Sequence, residues 1–94
     1  MPAYGHPMGT FLVESYVPNL DSGTAAELSS RLRSAVSELK RDGRTLQWLR
    51  SFAIVDEETY VWMVEAPDAD HVALVHKRAA VSVDHIAVIS EEPG

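Results

Sequence analysis

The order of strand-like and helix-like patterns along this 94-residue chain leaves few folds open to it. Runs of β-branched, aromatic and other apolar residues, typical of strands, occupy residues 10–17, 46–55, 60–66 and 83–89. Between the first and second runs, and again between the third and fourth, apolar residues recur every three or four positions, which indicates helices. The sequence pattern therefore predicts a strand, a helix, two further strands, a second helix and a last strand, in that order.

This β-α-β-β-α-β order is that of the ferredoxin-like α+β fold. Right-handed crossovers then give a four-stranded antiparallel sheet of order 4-1-3-2, with both helices on one face and the other face bare. Residues 1–9, which hold two prolines and two glycines, are predicted to form a flexible N-terminal arm. Residues 10–94 are too few for two hydrophobic cores, so they form a single domain.

Composition excludes several classes of function. The formal net charge of −6 argues against nucleic acid, because phosphate binding needs clustered Lys and Arg. The chain has no cysteine, which excludes disulfides, thiolate metal sites and thiol nucleophiles. The N-terminal sequence is unlike a signal peptide, and no run approaches the roughly 20 apolar residues of a membrane span. We therefore expect a cytoplasmic protein that does not bind membranes.

Local signals predict where the first helix starts and ends. Thr24, followed three residues later by Glu27, matches a capping box, so the helix is predicted to begin there. Glu27 and Arg31 have the spacing of an ion pair on the solvent side. Gly43 is expected to supply the left-handed residue that ends the helix.

A glutamate interrupts the first strand, in the segment FLVESYVP. Alternation puts Glu14 on the same side as Leu12 and Tyr16. Because an ionised carboxylate under two helices would be costly, we expect this side to be the open face. The same alternation assigns to that face a mixed group of polar and apolar residues, namely Trp48, Arg50, Phe52, Met63 and Glu65. His85 joins them in one of the two possible phases of the last strand.

Such a mixture is typical of a dimer interface or of a ligand pocket. In the first interpretation Glu14 and Glu65 are neutralised by Arg50 or by a basic group of a second subunit, and hold a dimer in register. In the second interpretation the carboxylates bind a ligand or a metal, together with an imidazole or a phenol. The sequence pattern leaves both open.

Four histidines and no cysteine make imidazole and carboxylate the available metal ligands, which suit nickel, zinc, copper and iron. His71 and His76 lie five residues apart on the second helix, about 140° around its axis, so at most one belongs to a given site. The motifs of zinc proteases, P-loops, dinucleotide binding and nucleophile elbows are absent. This absence favours a non-enzymatic protein.

The segments FLVESYVP, LQWLRSFAIVDEET and VWMVEAPDADHV resemble a family of small bacterial proteins grouped as a domain of unknown function. That family includes a nickel-responsive, nickel-binding protein of an actinomycete. The resemblance covers residues 10–90 and lies in the order and spacing of the motifs. The chain departs from the family before the last strand, where Ala80 and Ser82 replace the usual Gly and Pro.

The resemblance implies a homodimer with a ferredoxin-like fold that binds Ni²⁺ or another divalent transition metal. The positions that match polar residues of the family's motifs are Glu14, Tyr16, Arg50, Glu65 and Asp84, and His76 lies in a segment where the family often has a histidine. We predict a non-enzymatic metal-binding dimer whose candidate ligands are Glu14, Tyr16, Glu65, His76 and His85.

A second hypothesis belongs to another class. The open face would form an apolar pocket for an organic molecule, in a sensor or in a cofactor-free dimeric ferredoxin-like enzyme. The residues predicted to line this pocket, or the dimer interface, are Trp48, Arg50, Phe52 and Met63.

Overall fold

The predicted order of strands and helices is present in the structure, a computed structural model that describes residues 8–90. The elements are β1 (Gly9–Tyr16), α1 (Ser22–Arg41), β2 (Gln47–Ile54), a 3-10 turn (Val55–Glu57), β3 (Thr59–Ala66), α2 (Ala69–Ala79) and β4 (His85–Ile89). Residues 1–7 of the predicted arm lie outside the described residues. Gly9, which was assigned to the arm, is instead the first residue of β1.

The four strands form one antiparallel sheet with the order β2-β3-β1-β4. This is the predicted order 4-1-3-2, so the ferredoxin-like fold is confirmed. The long strands β1 and β3 lie in the centre, and β2 and β4 form the two edges. Residues on the central strands are therefore flanked on both sides, which buries their side chains more than those on the edges.

The hydrophobic core lies between the sheet and the two helices. One stripe of α1, which includes Leu28, Leu32 and Leu39, is buried as the periodicity predicts, and so are Val72 and Val75 of α2. These side chains pack against the residues of β1 and β3 that point towards the helices, namely Phe11, Val13, Tyr60, Trp62 and Val64. Neither helix is long and apolar enough to cross a membrane.

Helix α1 begins earlier than the capping-box signature predicts. Asp21 is the N-cap residue, and its carboxylate accepts a hydrogen bond from the backbone N–H of Thr24 at 2.8 Å. The prediction of Thr24 as the cap was wrong because Asp21 offers an equally good acceptor one turn earlier. The hydrogen bond from the Thr24 N–H favours the ionised carboxylate and lowers the pKa of Asp21.

The pKa of Asp21 is lowered in the folded state, so the ionised cap stabilises the protein fully at pH values above the ordinary aspartate pKa. This stabilisation is lost as the pH falls through the lowered pKa of the folded state. We expect Asp21→Asn, which keeps a capping acceptor, to lose less stability than the wild type between pH 7 and pH ~2.5. Urea midpoints at the two pH values measure this. Glu27→Gln, on the same helix, is the control and should fall as the wild type does; equal falls for all three proteins would contradict the prediction.

The two helices end with left-handed residues. Gly43 follows α1 with a φ of 95°, as predicted, and Arg44 N–H donates back to the carbonyl of Leu39 at 2.9 Å. Ala80 follows α2 with a φ of 58°, which is unusual for a residue other than glycine. The chain thus adopts a left-handed backbone after α2 without the glycine that usually allows one.

Arg31 stabilises the end of α2. Its Nε and Nη2 atoms donate to the carbonyl of Ala79 at 3.1 and 2.7 Å, and Nη2 also donates to the carbonyl of Ala80 at 2.6 Å. The predicted Glu27–Arg31 pair is therefore wrong, because the guanidinium satisfies backbone carbonyls that the helix end leaves without partners.

A bulge in β2 changes the face of the sheet on which the first residues of the strand lie. Trp48 pairs with Val64 and Arg50 pairs with Met63, so Leu49 is an extra residue in the ladder. Trp48 consequently points towards the helices and stacks on Trp62, with ring centroids 5.9 Å apart. The prediction of Trp48 on the open face was wrong, because simple alternation does not allow for an inserted residue.

Candidate functional site

The open face is the side of the sheet away from the helices, and strand register fixes its side chains in rows. One row crosses all four strands and contains Phe52 of β2, Val61 of β3, Glu14 of β1 and His85 of β4. The next row towards the other end of the sheet contains Arg50, Met63, Leu12 and Ala87. In these two rows the polar side chains are Glu14 and His85 at the β4 end of the first row and Arg50 at the β2 end of the second, and the others are apolar.

Glu14 and His85 are direct cross-strand neighbours. Side chains at such positions have Cβ atoms about 4.5–5.5 Å apart and point to the same side of the sheet. The pairing is fixed by hydrogen bonds next to it: Asp84 N–H donates to the Glu14 carbonyl at 2.9 Å, and the Asp84 carboxylate accepts from Tyr16 N–H at 2.7 Å. These hydrogen bonds hold the start of β4 in place and so determine which of its residues lie on the open face. The sequence left this open.

The carboxylate of Glu14 and the imidazole of His85 have no hydrogen bond or ion pair with any residue in the range 8–90. Glu14 is half-buried in its central strand, whereas His85 is exposed at the edge. A half-buried carboxylate gains from a cation or a hydrogen-bond donor that replaces lost water. The pair thus offers one oxygen ligand and one nitrogen ligand to a group that approaches the open face.

Tyr16 lies two residues beyond Glu14 on the open face, but its phenol is held by another residue. The hydroxyl donates to Glu58 Oε1 at 3.0 Å. This hydrogen bond, together with the negative charge of Glu58, raises the pKa of Tyr16. The phenol is therefore kept protonated and tied to Glu58, which makes it a poor metal ligand at neutral pH.

Glu58 joins two turns at one end of the sheet, and no local sequence pattern points to it. It adopts a left-handed backbone with a φ of 50°, and its Oε2 accepts from the N–H of Asn19, itself left-handed with a φ of 61°, at 2.6 Å. Its own carbonyl accepts from Val17 N–H at 2.7 Å. Local sequence patterns cannot reveal this role, because the contacts of Glu58 join residues about forty positions apart in the chain.

Glu65 and Arg50 share the open face but are not neighbours of Glu14. Glu65 pairs with Thr10, four residues along β1 from Glu14, which is about 13 Å. Arg50 belongs to an edge strand with β3 between it and β1. The expectation that Glu14 would lie near Glu65 and Arg50 was therefore wrong, because equal parity fixes the face of a residue but not its distance along or across the sheet.

His76 and His71 belong to α2, so the sheet lies between them and Glu14. The Nδ1 atom of His76 is 3.2 Å from the carbonyl of Val81, in a half-buried setting. The Nδ1 atom of His71 is 2.7 Å from Asp68 Oδ1, and this contact lowers the pKa of Asp68. Within one chain His76 cannot reach the open face, and the predicted five-residue ligand set is not brought together.

The apolar part of the open face lies towards the β2 edge. Phe52 is 44% exposed and Ile54 is 39% exposed, while Met63 and Leu12 are half-buried beside them. Val61, at the centre, is only 2% exposed although no helix covers it. Phe52 and Ile54 thus present accessible apolar surface on this face, whereas Val61 does not.

The donor groups that residues 8–90 bring together are too few for a complete transition-metal site. Within residues 8–90 no three histidine or acidic side chains come together in a way that could hold a metal ion. Protein sites for zinc and related metals commonly use three or four protein ligands. The Glu14–His85 pair has ligands of the right chemical type, and further ligands from outside residues 8–90 would be needed to complete their number.

The fold and this exposed, partly apolar sheet face define the chain as a small ferredoxin-like α+β protein. Its sequence matches no known family model and no curated protein. Its fold is similar to that of SCO4226 from Streptomyces coelicolor A3(2), whose crystal structure aligns with a TM-score of 0.75 over 89% of this chain and 99% of that one. The two sequences are 16% identical, so this likeness concerns the fold alone.

Proposed function

We propose that the protein is a non-enzymatic, dimeric binding protein for a divalent transition metal, with Ni²⁺ as the first candidate. The observation that carries the proposal is the Glu14–His85 pair, a carboxylate and an imidazole side by side on an uncovered sheet face. Imidazole with carboxylate suits the metals from iron to zinc, and geometry rather than ligand type separates these ions. The resemblance described above favours nickel among them.

Homodimerisation is supported by the apolar part of the same face. Exposed Phe52 and Ile54, with Met63 beside them, form a surface that self-association would remove from water. Burial of apolar area stabilises by about 25 cal/mol per Å². A domain of this size buries a smaller fraction of its surface than larger domains do, so a second copy adds substantially to its stability.

The test is Ni²⁺ binding to tag-free protein, measured by equilibrium dialysis with elemental analysis. We expect Glu14→Gln and His85→Gln each to weaken binding at least about tenfold, since even the loss of an indirect partner of a metal ligand costs this much. His71→Gln, on the helix side, is the matched control and should bind as the wild type does. Wild-type binding no stronger than that of the Glu14→Gln/His85→Gln double variant would contradict the proposal.

His76 separates two locations for the site. If the metal binds on the open face, His76→Gln should leave Ni²⁺ affinity unchanged, because the sheet lies between His76 and the Glu14–His85 pair. A large loss of affinity in His76→Gln, with no loss in His85→Gln, would move the site to the helix side of the molecule.

The alternative function, binding of an apolar small molecule on the open face, is favoured by one observation: the 44% exposure of Phe52 next to half-buried Met63. Native mass spectrometry distinguishes the two functions. A co-purified organic molecule that is lost in Phe52→Ser, but retained in His85→Gln, would favour the small-molecule function over metal binding.

A further inference from the structure

Two side chains of the hydrophobic core carry polar atoms that bond to no residue in the range 8–90, namely the hydroxyl of Tyr60 and the indole Nε1–H of Trp62. Tyr60 is 1% exposed and Trp62 is 0% exposed, so bulk water does not reach them either. About nine in ten buried polar groups in folded proteins have a hydrogen-bond partner. A buried donor without one lowers stability by the cost of its lost hydration. Two such donors in one core therefore require an acceptor.

Both donors lie on the helix side of β3, two residues apart along the strand, which is about 7 Å. Their direct neighbours on β1 are Ser15 and Val13, respectively. Val13 has no polar side-chain atom, and the Ser15 hydroxyl donates to the carbonyl of Ser82 at 2.5 Å. The side chains of β1 thus supply no hydrogen bond to either donor.

The neighbours of the two rings on β2 are small. Ser51 pairs with Trp62, and Ala53 pairs with Tyr60. Both β2 residues are half-buried, so this edge of the core is partly open to solvent. The Ser51 hydroxyl has no hydrogen bond to residues 8–90 either. A polar group beside small side chains at a partly open edge gives a small molecule both a partner and a way in.

A small molecule is the available source of the acceptor, because the ends of the described chain lie elsewhere, where Thr10 pairs with Ile89. Tyr60 pairs with Ser15, five residues further along β1, which is about 17 Å. Globular proteins hold about one buried water per 27 residues, so a chain of 94 residues is expected to hold about three. Water is therefore a sufficient acceptor, and the carbonyl or carboxylate oxygen of a small organic molecule has the same chemistry.

We infer that the core between α1 and the β2–β3 half of the sheet contains a buried binding site for a hydrogen-bond acceptor, bound by the Tyr60 hydroxyl and the Trp62 indole N–H. Helix α1 covers β2 on this side, and Ser51 lies at the partly open edge by which the acceptor enters. The site is on the opposite side of the sheet from Glu14, so it does not depend on the function proposed above.

Tyr60→Phe tests the site, because it removes one oxygen atom and keeps the ring. With an acceptor bound to the hydroxyl, we expect the folded-to-unfolded ratio to fall about fivefold, the net effect of one lost hydrogen bond. A lower urea midpoint with an unchanged slope measures this loss. Tyr16→Phe calibrates it, since the Tyr16 hydroxyl donates to Glu58 at 3.0 Å. A Tyr60→Phe variant at least as stable as the wild type would overturn the site, because the substitution would then have removed only a donor without a partner.

The Trp62 indole N–H identifies the acceptor. In ¹⁵N-labelled wild-type protein it should show a nuclear Overhauser effect to a long-lived water, and Trp48→Phe assigns the peaks of the two tryptophans. An organic acceptor would instead appear in native mass spectrometry as added mass that is lost when the protein unfolds. Absence of both the water signal and the added mass would overturn the inference, and neither result bears on Ni²⁺ binding to the open face.

Discussion

Trp62→Ala is expected to destabilise the protein by about 3–5 kcal/mol, the range for truncation of a large buried aromatic side chain. Trp62 is completely buried on the central strand β3, within the core cluster that both helices cover. The change also removes its stack on Trp48, worth about 0.5–1.5 kcal/mol. A domain of this length has a total stability of roughly 5–14 kcal/mol, so the variant should lose a large fraction of it.

Urea unfolding followed by far-UV circular dichroism measures this loss. Trp48→Ala is the matched control, because it removes the same side chain from the other, half-buried partner of the stack. Its loss should be clearly smaller. Equal losses in the two variants would mean that the stack, rather than the burial of Trp62, carries the stability.

Arg31→Ala is expected to lower the free energy of unfolding by about 2 kcal/mol. Arg31 is an exposed residue, and a typical surface substitution changes the free energy of unfolding by less than ~0.5 kcal/mol. Its guanidinium makes three hydrogen bonds to the carbonyls of Ala79 and Ala80. Loss of these bonds removes the side-chain donor of the Ala79 and Ala80 carbonyls, at the point where Ala80 already adopts a left-handed backbone.

Two variants show whether geometry or charge is responsible. Arg31→Lys keeps the charge but lacks the planar fork, so it should recover only part of the stability. Arg33→Ala, on the same helix, removes an arginine with no hydrogen bond to residues 8–90 and should be nearly neutral. Thermal unfolding compares them; a neutral Arg31→Ala would show that solvent replaces the guanidinium at no cost.

The periodicity of apolar residues in the sequence was sufficient to predict the fold. Apolar spacing identified the buried stripes of α1 and α2, and the cost of burying a charge put Glu14 on the open face, where the register places it opposite His85. These features depend on local patterns and on a rule that holds for every strand. They could therefore be predicted from the chain alone.

The composition of the candidate site could not be predicted in the same way. Alternation determines the face of a residue but not the row in which it lies, so Glu65 was grouped with Glu14 across about 13 Å. A single inserted residue in β2 reversed the side of Trp48. The hydrogen bond between Tyr16 and Glu58 joins residues 42 positions apart, and no local sequence pattern predicts it.

The β2 bulge also affects how the sheet edge meets other chains. Exposed edge strands offer unpaired N–H and C=O groups that recruit further strands and seed fibrils. Here the inserted Leu49 interrupts the regular ladder of one edge, next to the exposed charge of Arg50, and the opposite edge, β4, is only five residues long. Both edges are thus poor templates for strand addition, so a chain with an uncovered apolar sheet face is protected from growing into an endless β-structure.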